Sequence, residues 1–437
     1  MWPECQAGLH PMLTVPPALV RPGRVDQARR RPLRTIRGMP ARRVLFAIAA
    51  LVAVRVVVVP LLLHDPMTTK HNAMLTGDVR RYQRIAQSPG IPWRDFAVEY
   101  PPVTWAAIKV LDGRSEHGSA TRVAWSQLVC DVAVAAALAY GWRKEAALAY
   151  LVLGLPLVVF PFIYLRLDLL SVALAVWGLA LVRRDKPVAG GITLAVSCFA
   201  KFWPVGIVPL LVLQRRWRAL VVTVATGTVG LVAWVAVAGT DGVNQVLSFR
   251  GARGWQIESV VGALVRGVTH DVVGVESGAW RVGASAVSWS RPLGAVLAVA
   301  VLAVWALAWR HRDEPRMVEA VAPIAAVAAF LAFSPILSPQ YVCWLLPFGA
   351  LAAVEGVPSL ARMVGAVVAL SAMLLYLIKE VIWGEDGAMA MLLVRNGLVV
   401  ALFVVGLVML ARRRSEAAAA ATPVPHRPAE QALRLPA

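Results

Sequence analysis

Residues 188–213 read V-A-G-G-I-T-L-A-V-S-C-F-A-K-F-W-P-V-G-I-V-P-L-L-V-L, and the way this stretch folds decides the architecture. Arg183, Arg184 and Lys186 precede it; Arg215, Arg216 and Arg218 follow it. As one helix it would put the two basic clusters on opposite sides of a membrane. As two limbs meeting near Lys201–Pro204 it returns both clusters to one side. Each limb is then about 12 residues, short of the roughly 20 that span a bilayer. Basic loops gather on the cytoplasmic side. Proline interrupts a helix, and a broken helix is tolerated at membrane depth where its backbone lines a protein cavity. The charge pattern therefore predicts the broken pair, with Lys201 near the outer face.

The rest of the chain suits such a membrane setting. It has 437 residues, 59% hydrophobic and 16% charged, with a mean hydropathy of +0.66. Soluble domains run near 45–50% apolar and about 25% charged. The apolar residues come in runs of roughly 16–25, the length of a transmembrane helix. A soluble α/β enzyme, a disordered protein and a transmembrane β-barrel are excluded. The expected fold is all-α, a polytopic transmembrane helical bundle. The net charge of +19 is assigned to cytoplasmic loops and the bilayer surface rather than to nucleic acid. Cys5, Cys130, Cys198 and Cys343 form no C-x-x-C pair, so neither a disulfide framework nor a metal site is expected.

Charge also threads the chain. Residues 1–43 carry nine Arg and no apolar run, which predicts a disordered, basic, cytoplasmic tail. It lacks the short apolar region of a cleavable signal peptide, and Met39 offers an alternative start. Helices are expected at 44–63, 120–141, 146–164 and 167–182, then the broken pair, then 219–238, 291–309, 317–333, 341–355, 360–378 and 388–410. Segments 64–119 and 239–290 become two long extracytoplasmic loops. Both termini fall in the cytoplasm, the second as a disordered tail at 411–437. The transmembrane unit, 44–410, makes about eleven or twelve crossings of roughly 20 residues or fewer each.

The chemistry-bearing residues gather on the outer side. The first loop reads G-D-V-R-R-Y at Gly77–Tyr82 and W-R-D-F-A-V-E-Y-P-P at Trp93–Pro102. Its carboxylates Asp78, Asp95 and Glu99 stand among Arg80, Arg81, Arg84 and Arg94. A carboxylate suits a general base for a hydroxyl nucleophile, and arginines suit a phosphate ester. A surface loop of solvated ion pairs is the plain alternative. Arg166, Asp168 and Lys201 sit at outer turns. The second loop reads F-R-G-A-R-G-W-Q-I-E-S at Phe249–Ser259, followed by His270 and Asp271; the third reads S-P-I-L-S-P-Q-Y at Ser334–Tyr341. Trp255 and Gln256 suit stacking on, and hydrogen bonding to, a sugar, although interfacial Trp is also a membrane anchor. Arg55 and Asp131 fall inside apolar helices, where a free charge costs about 2.5–3.5 kcal/mol at the helix centre. They read equally as a structural ion pair or as site residues. No Walker A, G-x-G-x-x-G or H-E-x-x-H sequence occurs.

In order along the chain stand G-D-x-x-x-Y, E-Y-P-P (Glu99–Pro102), R-L-D (Arg166–Asp168), A-K-F-W-P (Ala200–Pro204), R-G-W-Q-I-E-S (Arg253–Ser259) and S-P-Q-Y-x-x-W (Ser338–Trp344). This ordered set, over about residues 44–410, resembles glycosyltransferase family 87 of the GT-C membrane class. No single motif is specific; the order is what carries the resemblance. It implies a GT-C-type bundle and transfer of a sugar, mannose in the best-known members, from a polyprenyl-phosphate donor. The acceptor would be a cell-envelope glycolipid or glycan on the outer face of the cell membrane.

The resemblance also implies roles. Asp78 is the expected catalytic base for an inverting displacement that turns a β-linked donor into an α-linked product. No metal or other cofactor is expected, so Lys201, Arg166, Arg80, Arg81 and Arg253 are the candidates for binding the donor phosphate. Glu99, Tyr100, Asp168, Trp255, Gln256, Glu258, His270, Gln340 and Tyr341 are the candidates for contacts with substrate. A polyprenyl donor stays in the bilayer because each buried CH₂ contributes about 0.8 kcal/mol. Broken helices with buried charges also occur in secondary transporters and flippases; those show paired repeats and midplane sites, whereas these charges gather at one face.

Overall fold

A computed structural model describes residues 39–64, 73–248, 252–276, 278–283 and 286–412. The N-terminal tail through residue 38, the C-terminal tail beyond 412, Cys5, and Phe249–Gly251 of the second loop lie outside the described residues. The described chain is overwhelmingly α-helical, and the all-α polytopic bundle holds. Among the described residues, seven helices are long and apolar enough to cross a membrane: Ala41–His64 (α1), Glu116–Gly141, Trp217–Leu247, Arg291–His311, Arg316–Phe333, Pro358–Tyr376 and Asp386–Ala411. The other expected crossings fall on shorter or broken helices.

The first loop carries two short helices, α2 (Ala73–Gln87) and α3 (Pro102–Leu111), before α4 (Glu116–Gly141). The helix expected at 146–164 is interrupted. It runs as α5 (Lys144–Leu153), α6 (Leu155–Val159) and a 3₁₀ turn, Pro161–Leu165. Gly154, Pro156 and Pro161 explain the breaks, since prolines past the first turn lack the amide that continues a helix. A β-carbon at Gly154 would stand 3.2 Å from Arg55 Nη2.

Arg55 enters there to join a buried network. Its Nε lies 2.9 Å from Asp131 Oδ2, and Nη2 donates to the Leu151 carbonyl at 2.8 Å. Asp131 also accepts from the Tyr150 and Tyr164 hydroxyls at 2.6 and 2.8 Å. The two charges are therefore a satisfied structural pin between α1, α4, α5 and the 3₁₀ turn, which is how a buried pair becomes tolerable.

The stretch at 188–213 breaks as its charges require. After α7 (Asp168–Arg183), α8 (Pro187–Ala200) ends at Lys201; a 3₁₀ turn at Trp203–Ile207 and α9 (Pro209–Leu213) form the second limb. That limb returns to the end where the first began, for Arg216 Nη1 lies 2.5 Å from Asp185 Oδ1. α7 and α8 pack closely through Gly178 and Gly190, where an added β-carbon would meet Leu194 N at 3.0 Å and Val182 Cγ2 at 2.6 Å. Small residues allow such approach in membranes.

α10 (Trp217–Leu247) is two helices merged across Gly239 (φ 68°, ψ 177°). The second loop then forms a small antiparallel sheet in the order β1–β3–β2, with β1 at Trp255–Gln256, β2 at Gly274–Glu276 and β3 at Ala279–Val282, and α11 (Val260–Thr269) between β1 and β2. α12 (Ala286–Ala308) leads to the central helix. This begins with a π-helical turn at Arg316–Val321 and continues as α13 (Ala322–Phe333). With 83% of its span buried, it is alanine-rich because neighbouring helices press on every side. A 3₁₀ turn at Pro339–Trp344, α14 (Leu346–Val354), α15 (Pro358–Tyr376), α16 (Ile378–Trp383) and α17 (Asp386–Ala411) complete the bundle.

Candidate active site

α2 brings Asp78, Arg81 and Tyr82 to one face, because positions i, i+3 and i+4 stack along a helix. All three line a cavity of about 450 Å³. Arg80 points the other way and pairs with Glu116 at 3.0 Å, both half-exposed. The extended segment before α3 supplies Glu99 and Tyr100. Glu99 pairs with Arg81, and the Tyr100 ring meets Tyr82 edge-on at 5.6 Å. The Trp93 indole fixes this segment by donating to the Tyr100 carbonyl at 3.1 Å. Asp95 has a turn-holding role, accepting from the Ile91 amide at 2.6 Å.

The break between the 3₁₀ turn and α7 places Arg166 directly behind Asp78. Its Nε lies 2.9 Å from Asp78 Oδ2, and the Arg166 side chain is 7% exposed against 27% for Asp78. Asp168, at the N-terminus of α7, where a carboxylate is favoured by the helix dipole, holds Lys201 Nζ at 3.2 Å. Lys201 also lies 4.9 Å from the Tyr341 ring centre and 5.8 Å from that of Tyr100. The broken helix at Lys201 thus puts an ammonium on the cavity wall. Tyr341 stacks on Trp344 at 4.5 Å, and Trp344 on Trp203 at 5.6 Å, giving the cavity an aromatic floor.

The second and third loops close the cavity. Arg281 of β3 lines it and donates to the Gly254 carbonyl at 2.6 Å. Burial holds the Arg281 guanidinium below the ordinary arginine range, with Arg81 nearby adding to the effect and Glu276 and Tyr341 opposing it. Gly278, in a left-handed conformation (φ 75°), lies so close that an added β-carbon would stand 2.3 Å from Arg81 Nη1. Ser334, Ile336, Ser338, Gln340 and Tyr341 line the wall from the third loop. Val246, Leu247, Leu297, Phe330 and Phe333 make the remainder apolar.

Trp255, Gln256 and Glu258 lie behind this wall, all buried. Gln256 clamps the third loop: its backbone amide donates to the Pro335 carbonyl at 3.1 Å, and its Oε1 accepts from the Leu337 amide at 2.6 Å. Its Nε2 donates to Glu258 at 3.0 Å. Arg253 is exposed, its amide bound to Glu276 at 3.0 Å, and His270 is an exposed, left-handed residue ending α11 (φ 55°). Of the residues expected from sequence, the cavity gathers Asp78, Arg81, Glu99, Tyr100, Asp168, Lys201, Gln340 and Tyr341, with Arg166 behind Asp78. Arg80, Arg253, His270, Trp255, Gln256 and Glu258 are not on its wall. Arg281, Tyr82, Trp203 and Trp344 join it without having been singled out. Tyr82, Trp203 and Trp344 stand within the quoted motifs; Arg281 carries no sequence signal. Among the described residues, no three His, Cys, Asp or Glu side chains form a metal-ligating group.

The model of glycosyltransferase family 87 matches residues 98–339. The chain belongs to glycosyltransferase family 87. It is a membrane glycosyltransferase. No curated protein matches the chain. The family segment takes in Glu99, Arg166, Asp168, Lys201 and Arg281, and ends before Gln340 and Tyr341; Asp78 precedes it. This family 87 chain draws its cavity from three separate loops and from the helix breaks at Asp168 and Lys201–Trp203, which the bundle holds together at one end.

Glu258, behind the cavity wall, gives the fold a pH signature. Burial pushes its carboxyl up to about 7, against the opposing pull of Arg395, Arg166 and the Gln256 hydrogen bond. In the unfolded chain it titrates near the ordinary value, about 4.3. Between these values the folded protein keeps a proton that the unfolded chain has lost, so stability falls as pH rises through this window. Glu258→Gln is expected to flatten the fall in melting temperature between about pH 4.5 and 7 and to raise the melting temperature above it. Parallel melting curves for wild type and variant across that range would contradict the assignment.

Proposed function

We propose that this glycosyltransferase moves a sugar, in first place mannose, from a polyprenyl-phosphate donor to a hydroxyl of a cell-envelope glycolipid or glycan on the outer face of the membrane. The observation that carries this reading is that Asp78 lines a cavity together with Lys201, Arg81 and Arg281 and with apolar side chains such as Leu247, Leu297 and Phe330. A carboxylate facing cations beside a lipid-compatible surface suits a reaction between a hydroxyl and a lipid phosphate ester.

Asp78 takes the proton of the acceptor hydroxyl as its oxygen attacks the anomeric carbon. The bond from that carbon to the phosphate oxygen breaks, and its electron pair leaves with polyprenyl phosphate. The cations stabilise the charge that develops on the leaving phosphate, an effect that is strongest in a site shielded from water. Arg166, ion-paired with Asp78, orients the base. Tyr100, Tyr341 and Gln340 are placed to contact the sugar. Attack on the face opposite the leaving group inverts the anomeric centre, so a β-linked donor gives an α-linked product.

A donor panel tests the proposal. The purified full-length protein is incubated with a membrane-lipid extract and labelled polyprenyl-phosphate mannose, polyprenyl-phosphate arabinose or a nucleotide sugar. Label is expected in a new product from polyprenyl-phosphate mannose and not from the nucleotide sugar. Transfer from the nucleotide sugar alone would overturn the lipid-phosphate donor; transfer from the arabinose donor alone would overturn mannose.

A further inference from the structure

At the far end of the bundle lies a second polar cavity, of about 320 Å³, lined by Arg183, Gln214, Arg215, Arg216, Arg312 and Glu319, with Asp313 on its edge. Its distance from the first is set by helices that run between them. α7 begins at Asp168 on the Asp78 cavity and ends at Arg183, 16 residues on, or about 24 Å at the usual helical rise. The volume falls in the range of ligand sites, which starts near 300 Å³.

The charges here do not cancel. Four arginines face Glu319 and Asp313, leaving the lining two charges positive. Glu319 is fully engaged: it pairs with Arg183 and accepts from the Trp142 indole at 2.6 Å and from Gln214 Nε2 at 2.9 Å. It is buried, so it works as an anchor that fixes Arg183 and Gln214 at the cavity mouth. Arg216 is tied outward to Asp185. Arg312 reaches Asp313 only at 4.0 Å and lies 5.3 Å over the Trp309 ring. Arg215, exposed and in a left-handed conformation (φ 55°), makes no ion pair among the described residues. Such a set, with planar guanidinium forks converging on one space, matches the oxygens of a phosphate.

We propose that this cavity binds the phosphate of an anionic membrane lipid, at the end of the bundle opposite the Asp78 cavity. The membrane is favoured as the source because Trp217 and Trp309, 53% and 42% exposed, adjoin Arg216 and Arg310 in the chain, and exposed Trp beside Arg at helix ends marks the headgroup level of a bilayer. Basic pockets between transmembrane helices take lipid headgroups in this way.

The test compares lipid retention by full-length wild type and Arg215→Gln/Arg312→Gln in neutral detergent, by native mass spectrometry with phosphatidylglycerol and phosphatidylcholine. Both residues lie at the surface end of the cavity and neither holds Glu319, so the melting temperature is expected to stay unchanged. Phosphatidylglycerol is expected to bind the variant about tenfold or more weakly, with phosphatidylcholine unaffected. Arg215→Lys/Arg312→Lys, which keeps both charges, is expected to retain most of the binding. Equal phosphatidylglycerol affinity in wild type and the Gln variant overturns the site. Displacement of the lipid by an equal concentration of inorganic phosphate assigns the site to a free phosphate and overturns the lipid. A photoactivatable phosphatidylglycerol on wild type provides a check independent of any variant: labelling of peptides holding Trp217 or Trp309 is expected, and labelling confined to other segments contradicts the proposal.

Discussion

Asp78→Asn is expected to lower the turnover of sugar transfer by about 10²–10⁴-fold, the usual contribution of a positioned general base, while leaving the donor KM within a few-fold of wild type. The asparagine keeps the shape of the side chain and an oxygen beside Arg166 Nε, which lies 2.9 Å from Asp78 Oδ2. What it loses is the capacity to take a proton. An interaction needed only in the transition state shows itself as a loss in turnover with KM preserved. Initial rates over a range of donor concentrations, together with a melting curve, measure both parts. A variant with wild-type turnover would remove Asp78 from the chemistry. One with a raised KM and unchanged turnover would make it a binding residue.

The largest effect on stability is expected at the pin between Arg55 and Asp131. Asp131→Leu leaves Arg55, 1% exposed, without its counter-charge and strips the Tyr150 and Tyr164 hydroxyls of their acceptor. Breaking one side of a buried pair costs about 3–5 kcal/mol. Replacing both members by apolar side chains is often neutral, so Arg55→Leu/Asp131→Leu is expected to recover most of that loss. Reversible unfolding in detergent of the two single variants and the double variant measures the coupling. A double variant as unstable as the sum of the singles would contradict a closed ion pair.

These residues also mark how far the sequence is informative. The break at Lys201 is legible because basic clusters flank an apolar run too long for one turn and punctuated by Pro204. Arg55 and Asp131 announce an intramembrane pair by their cost, yet the choice between pin and site depended on Tyr150, Tyr164 and the Leu151 carbonyl, which arrive from elements distant in the chain. The three loops that form the cavity were legible as ordered motifs. Within them, helical periodicity separates Asp78, Arg81 and Tyr82 from Arg80, but only once the first loop is known to be helical there. Gln256 illustrates the opposite case. Its residue type suits a sugar, and its surroundings make it a clamp on the third loop, since β1 pairs with β3 behind the wall. Arg281 lies in a short strand with no pattern of its own, and it reaches the cavity only through that pairing. Gly154, which interrupts the helix expected at 146–164, reads in sequence as an ordinary small residue in an apolar run.

The most direct measurement of the central claim, a single displacement driven by Asp78, is the anomeric configuration of the product. The β-linked polyprenyl-phosphate sugar that the donor panel selects, labelled with ¹³C at the anomeric carbon, is turned over by the wild-type protein, and the one-bond carbon–hydrogen coupling of that carbon is read in the isolated product. The α configuration is the expected result. A product that keeps the β configuration would exclude a single back-side displacement, and would contradict the role given to Asp78.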